Sequence, residues 1–349
     1  MTLQSISVRA RVLAGAAAAL MVAAAAPIQA MTVLATFDPS ITSDPNAALI
    51  EAAINQVDSF YSRFTNPITV SIYFKLDPNL ADLGTSRPTL ARYTYSEYVD
   101  LISAASAAHP GNQVLATAVA NLPYGNTPAT TGKDFVRTTS ASGRALGDAT
   151  DVGALGTDGV FGHGSFDGIV TLDGFPGDLS YGAVGPNQYS GISTIFHEVD
   201  EILGVGGPGS SLGRVAPAMG QEDLYRYDWF TGLPSYTTDP NAISYFSIDG
   251  GVHYWQFFNQ DPGGDYADWA GYSGCAPQFV QDAFGCTGNQ AVRPRRAEMV
   301  ALQAIGYSVP EPATWAMMVL GFGLVGASAR RGRPDCPRRQ SNISAASRN

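Results

Sequence analysis

The sequence has little charge and little base. Charged residues make up 14% of 349, and 20 Lys+Arg stand against 30 Asp+Glu, for a net charge of -10. Nucleic-acid binding needs a cationic footprint on the folded part, so that class is excluded. No G-x-x-x-x-G-K-[ST] loop occurs, which sets aside P-loop phosphate binding, and no acidic stretch matches an EF-hand. The Asp-Gly pairs at 158, 167, 173 and 249 read as turns, and no internal repeat is present. Cysteine is scarce. Of the 3, Cys275 and Cys286 are close enough to staple a loop in an oxidising compartment, whereas Cys336 stands apart near the C-terminus.

What is there is apolar and loop-forming: 45% hydrophobic, with 38 Gly and 22 Pro, in a chain long enough to bury a substantial core. Arg9 and Arg11, an apolar run from Val12 to Ala26 and then Pro27-Ile28-Gln29-Ala30 follow the order of a secretory signal peptide, so residues 1–30 are expected to be removed and the mature chain to begin near Met31. An N-terminal membrane anchor is the alternative. At the other end, Val309-Pro310-Glu311-Pro312 precedes an apolar run, Ala313 to Ala329, and then Arg330, Arg331 and Arg333. Such a run is just long enough to span a bilayer, and the arginines would stay on the cytoplasmic side. This order resembles the PEP-CTERM sorting signal of Gram-negative bacteria. The resemblance implies an exosortase-type protease as partner, transient anchoring through 313–329 and delivery to the periplasm, outer surface or extracellular matrix; a plain C-terminal anchor is the alternative. Residues 308–335 form this sorting segment and 336–349 a basic tail expected to be disordered.

Between the signals, residues 31–307 read as one mixed α+β domain. Leu49, Ile50, Ala53, Ile54, Val57, Phe60, Tyr61 and Phe64 recur at helical spacing over 44–64, with Asp44 as N-cap. Ile68, Val70, Ile72 and Phe74 alternate with polar neighbours, the pattern of a half-buried strand. Helices are predicted over 96–108, capped by Ser96, over 112–121 and over 298–305. Residues 122–166 read as loops with one short strand, and 168–172 as a strand suited to a substrate-binding edge.

The chemistry concentrates in a helix predicted over 187–203. Ile192, Ile195, Phe196, Val199, Ile202 and Leu203 fall on one stripe, and His197, Glu198 and Glu201 on the opposite side. His197 and Glu201 are one turn apart, a spacing that lets both hold one ion. The pattern resembles the zincin metallopeptidase motif H-E-x-x-H with Glu201 in place of the second histidine. Carried over, His197 and Glu201 are metal ligands and Glu198 is the general base. A carboxylate binds zinc at nearly the distance of an imidazole, although a carboxylate-rich site also suits Mn2+ or another harder divalent ion. Position 207, where metzincins carry a histidine, is Gly207. The third ligand is therefore sought in Gln221 to Asp228, with Asp223 preferred and Glu222 and His253 as competitors. His163 reads as a loop residue, and Tyr225 and Tyr227 are minor candidates for oxyanion stabilisation.

Together with Leu203-Gly204, Asp223 to Tyr227, Tyr245 to Gly251, Asp261 to Trp269 and Ala304 to Tyr307, the motif resembles a family of exported PEP-CTERM-bearing metalloproteases over roughly residues 32–335. The resemblance implies a zincin-like fold, a zinc ion as cofactor, and a peptidase acting on protein or peptide substrates. The rival expectation is an inactive zincin-shaped protein of the cell surface or matrix that binds through its aromatic 245–272 region.

Overall fold

The computed structural model describes residues 30–123, 134–214, 218–271, 279–290 and 292–310. In chain order its elements are β1 (Thr32–Phe37), α1 (Pro39–Thr42), α2 (Ala47–Tyr61), β2 (Thr69–Asp77), β3 (Gly84–Pro88), β4 (Leu90–Thr94), α3 (Tyr95–Ala108), α4 (Gln113–Ala120), β5 (Phe135–Thr139), α5 (Ser140–Ala145), β6 (Gly168–Asp173), β7 (Leu179–Ser180), β8 (Tyr189–Ser190), α6 (Gly191–Leu203), β9 (Ala218–Gly220), β10 (Arg226–Asp228), β11 (Ser244–Phe246), β12 (Gln256–Phe257) and α7 (Arg296–Ala304). The class is mixed α+β.

The main sheet has the order β1-β2-β6-β3, with β1, β2 and β6 parallel and β3 antiparallel to β6. β6 is interior, between β2 and β3, and every residue from Gly168 to Asp173 is buried. The edge that sequence reasoning gave to 168–172 belongs instead to β3, whose sequence, GTSRP, carries no apolar alternation. On β2, Val70, Ile72 and Phe74 are buried as the alternation predicts, but Tyr73 on the other face is buried too, in a small cluster with Leu155 and Ile169 against Phe166. The sheet is therefore covered on both faces, by helices on one and by the 155–166 loop on the other. α6 packs on β3 and β6 and against α2.

Several boundaries differ from expectation for one reason, which is where the capping oxygens are used. Asp44 accepts from the backbone N–H of Asn46 in a local turn, so α2 starts later, at Ala47. Thr94, not Ser96, caps α3, in a box with Glu97. Ser190 caps α6, which begins at Gly191 and not near Asn187. The 122–166 region holds β5 and also α5, capped by Thr139. Three small sheets, β4-β5-β9, β10-β11-β12 and β7-β8, complete the domain.

The predicted signal peptide and the predicted span 313–329 fall on residues outside the described set, as does the basic tail. Among the described residues no helix is long and apolar enough to cross a membrane. Cys286 is disulfide-bonded, while Cys275 and Cys336 lie outside the described residues.

Candidate metal centre

α6 is held firmly at both ends. The Ser190 hydroxyl accepts from Ser193 N–H at 3.2 Å, and Gly204 closes the C-terminus in the left-handed conformation, φ 103°, which suits a residue without a side chain. Ile195, Phe196, Val199, Ile202 and Leu203 are buried in the core, so the helix cannot rotate, and His197, Glu198 and Glu201 are fixed on its other side. That side is covered, not solvated: Glu198 and Glu201 are buried beneath β3 and the loops at 262–268 and 279–286.

Three side chains converge there. His197 Nε2 lies 3.7 Å from Glu201 Oε1 and 3.7 Å from Asp268 Oδ2, and one donor atom from each of the three lies within 4.8 Å of the others. The ring's other nitrogen, Nδ1, is 2.9 Å from the Val280 carbonyl. A carbonyl only accepts, so Nδ1 carries a hydrogen, and Nε2, which faces the two carboxylates, is the nitrogen left to bind an ion once its own proton is released. A tetrahedral ion with bonds of about 2.0–2.2 Å has ligand-to-ligand edges of about 3.3–3.6 Å, close to the two 3.7 Å distances from His197. A neutral imidazole and two carboxylates carry two negative charges, which one divalent cation neutralises. The residues present fit such an ion.

The electrostatics point the same way. Burial opposes charge on His197, but Asp268, Glu201 and Glu198 outweigh it and hold the imidazole well above its ordinary pKa. Burial, reinforced by Glu201, pushes Glu198 well up. Asp268 is likewise raised, first by burial and then by Glu201 and Asp265. Glu201 alone is lowered: burial raises it, but His197, the Ser86 hydroxyl and the Gly207 N–H prevail. Asp268 Oδ1 is buried with no hydrogen-bond partner. Without a cation, burial and mutual repulsion favour the protonated forms of Glu198 and Asp268.

The remaining sequence candidates lie elsewhere. Asp223, expected as third ligand, is buried and fully occupied: it accepts from the Ser210 hydroxyl at 2.6 Å, Ser211 N–H at 3.0 Å and Gly220 N–H at 2.9 Å, and faces the buried Arg226 at 3.8 Å. It anchors a loop. Glu222 spends Oε2 on the Gly206 N–H at 2.7 Å and is not part of the cluster. His253 is exposed and paired with Asp249, and His163 is exposed and paired with Asp158. Tyr225 and Tyr227 do not line the cleft. One string, Gly209-Ser210-Ser211-Leu212-Gly213, has the G-x-S-x-G spacing of a nucleophile elbow. Ser211 is nevertheless buried and gives its hydroxyl hydrogen to the Ala218 carbonyl, so it offers no nucleophile.

Sequence reasoning missed Asp268 as the third member of the cluster. Its only local signal is an acid set between Ala267 and Trp269, both fully buried, in an otherwise polar loop. The cluster opens into a cleft of about 1020 Å³ that runs along Leu83 to Ser86 of the β3 edge and past Phe279 to Cys286.

Residues 308–333 match the PEP-CTERM protein-sorting motif. The chain is thus an exported protein, marked for an exosortase-type sorting system of the Gram-negative envelope. Neither the curated proteins nor the solved structures include one that matches it.

Proposed function

We propose that the exported domain is a metal-dependent hydrolase of peptide bonds, with His197, Glu201 and Asp268 holding a divalent ion, zinc in the first instance, and Glu198 as general base. The observation that carries this reading is the convergence of three donor atoms beside a buried glutamate of α6, in a cleft bordered by β3, an edge strand among the described residues. An ion held there would polarise a peptide carbonyl and make water a better nucleophile. The protein's own groups supply the rest. The Val280 carbonyl fixes the His197 tautomer, as outer-sphere partners of metal-bound histidines do. The edge of β3, unpaired among the described residues, offers backbone N–H and C=O groups to an extended peptide, aligning it by strand addition. Glu198 takes the proton of the attacking water and passes it to the departing amine.

The test is metal analysis and peptide hydrolysis by the purified exported chain. Glu198→Gln is expected to keep its metal and lose at least about 10²-fold in hydrolysis. Full activity in that variant sinks the assignment.

One observation favours a second reading, a surface binder. On the β10-β11-β12 side Trp229, Phe230 and Tyr254 are exposed, and Trp229 sits against Tyr254 with ring centroids 5.8 Å apart. A metal-free protein that retains affinity for matrix polysaccharide or protein would support it.

A further inference from the structure

The edge strand is not only a place for substrate to dock. Side chains on a strand alternate, so Gly84 and Ser86 share one face, and that face meets α6. A Cβ at Gly84 would lie 2.5 Å from Glu198 Oε1 and 2.8 Å from Thr194 Cγ2, so only glycine lets the strand close over the glutamate. Two residues on, the Ser86 hydroxyl donates to Glu201 Oε2 at 2.6 Å. Two strand residues span about 6.6 Å and one helical turn about 5.4 Å, so consecutive same-face positions of β3 fall over Glu198 and Glu201.

Glu201 is then held from two sides. Oε2 takes the Ser86 hydroxyl, and Oε1 takes the Gly207 N–H at 2.9 Å while facing His197 Nε2. Both hydrogen bonds favour the ionised carboxylate, the form that binds a cation, and they fix which oxygen is turned to the ion. Ser86 lines the same cleft, and its hydroxyl is spent on Glu201. It works through Glu201, from an element 115 residues away in sequence.

We propose that Ser86 is a positioning residue of the metal centre: its hydroxyl orients Glu201 for coordination and makes β3 a structural part of the centre it borders. The inference rests on the metal-centre reading above.

The test compares Ser86→Thr with Ser86→Val. The two replacements have nearly the same shape and both suit a strand, so they differ in the hydroxyl alone. Zinc affinity is measured on the whole exported chain by competition with a chromophoric chelator, and the Co2+-loaded proteins are compared by visible absorption. The Thr variant is expected to bind zinc within about 3-fold of wild type with an unchanged Co2+ spectrum. The Val variant should bind about 10–100-fold more weakly, with a shifted spectrum, the loss usual for outer-sphere partners of metal ligands. Equal affinities and spectra for Thr and Val overturn the role of Ser86 and leave the metal centre standing. A wild-type chain that binds neither ion overturns both. If the Val variant fails to fold, Ser86→Ala replaces it in the comparison, with the same criterion.

Discussion

Asp223 and Asp268 are both buried carboxylates, and what separates the anchor from the proposed ligand is how many donors each already has. Asp223 accepts three hydrogen bonds and faces Arg226; Asp268 keeps Oδ2 turned to His197 and has no partner for Oδ1. Removing charge at each should therefore have opposite signatures. Asp268→Asn is expected to lose the metal, because the amide neither neutralises nor donates like a carboxylate, while the fold gains from losing an unpaired buried charge. Asp223→Asn should retain metal but cost about 2–3 kcal/mol, because buried Arg226 loses its counter-charge. Metal stoichiometry and urea melts on the two variants decide the matter; metal loss in Asp223→Asn with retention in Asp268→Asn would reverse the ligand assignment. Much of this site was legible at the residue scale. His197, Glu198 and Glu201 sit on one element, and helical spacing alone puts them together. Asp268 lies on a loop 67 residues beyond Glu201, and no local periodicity reports a contact made by the fold.

Elements were legible where their pattern is their own and illegible where it is borrowed. α6 carries an apolar stripe and a cap, and β2 alternates, so both could be found. β3 has neither signal; it is a strand only because β6 lies beside it, and Gly84 and Ser86 reveal their purpose only once α6 is packed beneath them. The helix α2 has a further property with a pH signature. Asp58 on α2 is buried, its Oδ1 has no hydrogen-bond partner, and burial alone raises its pKa from 3.8 to about 7. The folded chain thus holds a proton there that the unfolded chain releases near 3.8. Stability from this group is complete below pH 3.8, drains away as pH rises toward 7, and is level above. The full amount is about 4 kcal/mol as an upper bound. Asp58→Asn removes the dependence. Its melting midpoint should exceed that of wild type clearly at pH 8 and converge with it near pH 4, as denaturant titrations at several pH values would show. A gap independent of pH would mean that the proton is not held.

At the scale of the whole chain, the question is where the fold stops and the sorting motif begins. The last described residues, up to Ser308, are tightly held. Tyr307 is fully buried and donates to the Leu203 carbonyl at 3.0 Å; Asn66 donates to the Gly306 carbonyl at 3.0 Å and accepts from Ser308 N–H at 2.8 Å; Asn112 donates to the Tyr307 carbonyl at 3.1 Å. Thr65 N–H reaches the Ser308 carbonyl at 2.7 Å. Through Leu203 the Tyr307 contact ties this segment to the last turn of α6, the helix that carries His197, Glu198 and Glu201. The sorting motif begins at 308, where these contacts end, and the compact unit closes at Val309. Folding and sorting are therefore separable at that point. A chain ended after Pro310 should melt within about 2 °C of the complete exported protein, bind metal equally, and fail to reach its sorted location. One ended after Ile305 removes Tyr307 from the core and should lose about 3–5 kcal/mol, the cost of deleting a large buried aromatic, and metal affinity with it. Thermal melts, metal titration and cell fractionation on the two truncations distinguish the cases. A large loss of stability on cutting after Pro310 would show that the sorting segment takes part in the fold.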